Sequence, residues 1–137
     1  FIGYFSTDAA NNILNFETTG YSTTIQERPA LGGGVSGNLM LDQGAATVNT
    51  AVNFTTAVPP QARIVQLDCY MQTSAMTTEL AVVYDGVATR SGLFLNAVTT
   101  RPTSGFMPLA PQGGGHFYYV GSSANCATSV FCASFSF

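Results

Sequence analysis

Polar and apolar residues alternate through most of this chain, and a period of two marks strands that bury one face. Residues 64–72 are the clearest case. Val65, Leu67, Cys69 and Met71 fall on one side, and Ile64, Gln66, Asp68, Tyr70 and Gln72 on the other. Further strands are predicted at 80–84, 93–98, 117–120 and 129–137. Asp85-Gly86 ends the first of these runs and signals a hairpin, because glycine accepts positive φ without a steric cost.

The first third is less regular. Short strands are expected at 1–5, 13–16 and 21–25, with a turn at Asn11-Asn12 and one helical turn within 9–14. Segments 39–41 and 48–54 read as a pair turning around Gly44. Helical periodicity is otherwise nearly absent, and Gly and Pro punctuate the chain throughout. The expected fold is all-β, an antiparallel β-sandwich with little or no helix. Pro59-Pro60 reads as a stiff junction between an N-terminal arm, 1–58, and the best-defined strands, 61–137. One domain over 1–137 is expected, since 61–137 would make a thin sandwich alone. Segment 102–115 holds three prolines and four glycines, and reads as a long loop lying outside the sheets.

Charge changes this picture most. Only 8% of the 137 residues are Asp, Glu, Lys or Arg, against roughly 25% in an ordinary soluble domain. There is no Lys, and the basic residues are Arg28, Arg63, Arg90 and Arg101. From 102 to 137 no such residue occurs. Four scattered arginines in a chain of net charge −3 make no basic stripe for nucleic acid, nor a patch for anionic lipid. No stretch approaches the ~20 predominantly apolar residues of a membrane helix, so no membrane partner is expected. The chain opens at Phe1, and is expected to be a processed form, a fragment or the ordered part of something longer.

Candidate chemistry is sparse. Residues 32–37 match GxGxxG formally, but no helix pattern follows, and the motif needs one to hold a pyrophosphate. His116 is the single histidine and reads as a strand-start residue. Seven carboxylates (Asp8, Glu17, Glu27, Asp42, Asp68, Glu79, Asp85) leave room for a converging acid pair of the glycosidase type. Cys69, Cys126 and Cys132 lack metal-ligand spacing and read as small buried hydrophobes, with one disulfide plus a spare thiol as the alternative. Asn53-Phe54-Thr55 is a formal glycosylation sequon. No catalytic, cofactor-binding or metal residue is assigned, and no enzyme activity or cofactor is expected.

Two binding readings remain. Aromatic side chains on a β-sandwich stack on sugars, which makes Tyr70 and Tyr118 candidates, with Asn96 and Gln72 as hydrogen-bonding neighbours. Alternatively, the charge-free C-terminal quarter, 102–137, exceeds what one core hides. It then marks a homo-oligomer interface at Phe106, Met107, Leu109, Phe135 and Phe137. A third reading takes Phe131, Ala133, Phe135 and Phe137 as one alternating face of an outer-membrane-type barrel.

The Thr-, Ala-, Gly- and Ser-rich, charge-poor strands, and the run 118–137 ending on an aromatic strand, resemble bacteriophage virion proteins of the capsid-decoration, head- or neck-fibre and tail-fibre-tip type. The resemblance covers mainly 61–137 and is one of composition. It implies a jelly-roll-like fold and a homotrimer. It also implies assembly in a host cytoplasm, where free thiols are normal. Other virion proteins would be partners, with a host surface glycan or receptor as a further one and an extracellular location as the alternative. It carries over no site residue.

Overall fold

The structure, a computed structural model, describes residues 16–19, 22–25, 39–55, 58–59, 61–86, 92–110 and 115–137. The expected strand at 1–5, the helical turn within 9–14 and the loop at 32–37 lie outside these residues. So does most of the expected strand at 13–16.

Among the described residues there is no helix, and ten strands follow one another. They are β1 (Phe16–Thr19), β2 (Ser22–Ile25), β3 (Leu39–Gly44), β4 (Thr50–Asn53), β5 (Ile64–Thr73), β6 (Glu79–Tyr84), β7 (Leu93–Ala97), β8 (Thr103–Leu109), β9 (His116–Gly121) and β10 (Cys126–Ser136). Sheet one runs β1-β2-β10-β5-β8, with β3 also on β10; sheet two runs β4-β9-β6-β7. β10 is long enough to take both β2, along 134–136, and β3, along 128–131.

The pairing is nested. β6 pairs β7, β5 pairs β8, β4 pairs β9 and β3 pairs β10, all antiparallel. This is one long hairpin, rolled so that alternate pairs fall to opposite sheets. The contacts β5–β10 and β6–β9 then join the pairs into two sheets. Two sheets of this connectivity form an eight-stranded jelly roll, to which β1 and β2 add a further hairpin on sheet one.

Alternation decides what enters the core. Val65, Leu67, Cys69 and Met71 of β5 are all inside, facing Ala81 and Val83 of β6, Leu95 of β7, and Phe117 and Tyr119 of β9. Phe117 stacks on Phe54, with ring centroids 6.4 Å apart. Gly86, at φ 91°, follows β6 where the hairpin signal stood, and β7 begins at Leu93.

Three expectations are corrected. Segment 102–115 is not a loop outside the sheets, because 103–109 forms β8, the edge of sheet one. Pro108 is compatible with an edge strand, where a missing N–H can face away from the ladder. Segments 39–41 and 48–54 do not pair with each other, since β3 joins β10 in one sheet and β4 joins β9 in the other. Finally, the aromatic residues near the C-terminus do not share one face. A register shift between Cys132 and Ser134 reverses the alternation, a one-residue slip turning every later side chain over. Val130, Cys132 and Phe135 therefore join the cluster between the sheets, whereas Phe131, also buried, lies outside that cluster.

Candidate functional site

Registers place every candidate side chain. Met107, Leu109 and Phe135 lie in the core of the chain itself, exposed by 6%, 2% and 1%, so nearly all of their surface is already covered within one chain. In β8 the inward parity belongs to Met107 and Leu109, which leaves Phe106 on the outer face, 57% exposed. Phe137 is half-buried and packs its ring edge-on against Phe135 at 5.6 Å. Of the five expected contact residues, Phe106 alone is more than half exposed.

The four glycan candidates do not converge. Tyr70 and Gln72 face outward from sheet one, in phase with Gln66 and opposite in phase to the buried Met71. Tyr118 and Asn96 face outward from sheet two. The sandwich therefore separates them into two pairs on opposite surfaces. Tyr118 is also engaged. One side of its ring stacks on Tyr84, centroids 5.8 Å apart, and the ring packs so closely on Gly86 that a Cβ there would run into it.

The polar side chains with chemical potential are split in the same way. At the start of β6, Ser122 Oγ–H donates to Glu79 Oε2, and Ser122 Oγ accepts the Leu80 N–H at 3.0 Å. Cys126 Sγ lies 3.9 Å from the same Glu79 oxygen. This cluster ties the turn after β9 to β6. His116 begins β9 and Ser122 follows its end, a separation of about 20 Å at ~3.4 Å per strand residue. No Ser-His relay spans that distance.

Cys69, Cys126 and Cys132 are buried and are not joined in disulfides. Burial pushes the Cys69 and Cys132 thiols up to about 12, and the neighbouring Asp68 adds to the shift at Cys69. Thiols held so firmly in the neutral form are inert as nucleophiles or ligands. Among the described residues no three of His, Cys, Asp and Glu gather to hold a metal. None of the helices required for a membrane crossing is found there either.

What remains is surface. Met76, Val48, Phe94, Phe106 and Ile64 are 94%, 71%, 57%, 57% and 51% exposed. Phe94 was not marked by sequence reasoning, though its position between the inward Leu93 and Leu95 was the available signal. On the outer face of sheet two, register sets Val120 beside Val82 and Val82 beside Phe94, an apolar row across three strands. Compared with protein-family models, with curated proteins and with solved structures, the chain matches none.

Proposed function

We infer that this chain is a structural subunit of a virion, a capsid-decoration or fibre component that assembles with copies of itself. The observation that carries this reading is the set of more than half-exposed Phe94, Phe106, Met76, Val48 and Ile64 on a jelly roll with only 8% charged residues. Monomers normally disperse with mixed surface charge and few exposed aromatics. Subunit interfaces favour aromatic and Met side chains and exclude charge from their centres. The threefold state and the bacteriophage setting come from the compositional resemblance.

A glycan-stacking role draws less support, because its candidates occupy opposite faces and Tyr118 is already packed. A lipid-facing barrel draws less as well, since Phe131 and Phe135 are 7% and 1% exposed. The reading is tested with Phe106→Asp, followed by light scattering on the eluting protein. The variant is expected to shift the assembled species toward monomer with an unchanged far-ultraviolet spectrum. A wild-type chain that elutes as a monomer at all concentrations contradicts the reading.

A further inference from the structure

A sheet edge carries a row of backbone donors and acceptors, and natural proteins block edges with charge, proline, bulges or brevity. Among the described residues, the edges of this sandwich are blocked one by one, with a single exception. β1 includes Glu17 in its four residues. β3 includes Asp42, has Gln43 at φ 46°, and meets β10 through register shifts. β4 is four residues long, and β8 contains Pro108. β7, Leu93-Phe94-Leu95-Asn96-Ala97, has no charge, no proline and no register shift in its pairing with β6.

The direction of its free groups follows from its neighbours. The Ser122 N–H donates to the Leu80 carbonyl at 2.8 Å, and Ser122 Oγ accepts the Leu80 N–H, so the backbone of Leu80 points toward β9. Backbone groups alternate along a strand. Glu79, Ala81 and Val83 therefore point toward β7 and meet Ala97, Leu95 and Leu93. Phe94 and Asn96 are left with their N–H and C=O groups aimed off the edge. Val98, next in the same phase, is closed by reciprocal bonds to Arg101, which sets where the open edge stops.

We propose that β7 is the strand at which a second copy of this chain adds, antiparallel, about a twofold axis at Leu95. That register places Phe94 opposite the partner's Asn96, and Asn96 opposite the partner's Phe94. The outward N–H and C=O of both residues are then used in both copies. The edge suits its own copy because it is uncharged, so the two strands bring no like charges together, and an isologous contact requires such self-complementarity. Sheet two becomes one eight-stranded sheet, and the row Val120, Val82, Phe94 runs on into the partner's Asn96 and the partner's Leu80 on the same outer face. The proposal rests on the self-assembly reading and gives it a twofold contact, the kind that links rings or trimers into larger arrays.

Hydrogen exchange of the Phe94 and Asn96 amides tests it, together with sedimentation, on the chain at about 1 µM and about 500 µM, which brackets a weak to moderate self-association. The two amides are expected to exchange at least tenfold more slowly at the higher concentration. Asn96→Pro, which removes an edge donor, and Phe94→Lys, which adds an edge charge, are each expected to abolish that protection and the dimerisation step while the far-ultraviolet spectrum is kept. Association with these amides still open, or dimers that persist in both variants, overturns the edge proposal and leaves self-assembly standing. A chain that stays monomeric throughout overturns both. Protection that follows an added strand-forming peptide, and not the concentration of the chain, assigns the edge to a foreign strand and overturns the proposal.

Discussion

At the residue scale, the inward positions of β5 were readable because each is apolar and sits in strict alternation. Thr128 was not. It is fully buried on β10, and its Oγ1 has no hydrogen-bond partner. A buried hydroxyl without a partner carries its desolvation cost uncompensated. Thr128→Val, of nearly the same shape, is therefore expected to stabilise the fold by about 1 kcal/mol, read as a higher urea midpoint at constant slope. A lower midpoint would mean that the hydroxyl is bonded.

The buried thiols give a second residue-level expectation. Cys69 and Cys132 move from 9.0 to about 12 in the folded chain. The unfolded chain releases these protons first, so their contribution to stability is complete below pH 9 and is lost as pH rises toward 12. Melting temperature should fall over that window, and the Cys69→Ala/Cys132→Ala variant should show a shallower fall than the wild type. Equal slopes would show that the two thiols contribute nothing to it.

At the element scale, the strands that were legible are those whose alternation runs unbroken: β5, β6, β7, β9 and the body of β10. β8 was obscured by its own chemistry. Gly105 is a weak strand former, and Pro108 is barred from central strands, yet an edge accepts both. Gly105 moreover gives way to Leu93, whose side-chain carbons stand 3.0 Å from where a Cβ would lie. The bulge in β10 hid a different feature. It adds one residue at Ala133 and sends Phe135 into the core, which no count by twos anticipates. The burial of Met107 and Leu109 within the chain was missed as well, since it follows from the parity of a strand that went unread.

Parity along β8 has a measurable consequence. Met107→Ala is expected to cost about 2–5 kcal/mol, as buried Met truncations do. Phe106→Ala, one residue away on the outer face, should cost the monomer about 1 kcal/mol or less. Chemical denaturation at low protein concentration distinguishes the two. Comparable losses would mean that β8 does not present alternate faces.

At the scale of the whole molecule, the nested order of strand pairs could not be read from the chain, because it depends on partners far apart in sequence. β3 and β10 close the outermost pair across most of the described chain. Local patterning shows that strands exist and which face is apolar; it is silent on which strand lies beside which. Composition was informative where patterning was not. The scarcity of charge raised the expectation of a covered surface, and the fold shows where apolar groups are exposed: Phe106 on the outer face of sheet one, and the Val120–Val82–Phe94 row that ends at β7 on sheet two.

The account rests on self-assembly, and sedimentation velocity of the unmodified chain across a concentration series tests it most directly. The expected result is a sedimentation coefficient that rises with concentration from the monomer toward a discrete oligomer, with little change on adding salt, since the contacts carry almost no charge. A single species with the mass of one chain across the whole series would contradict it.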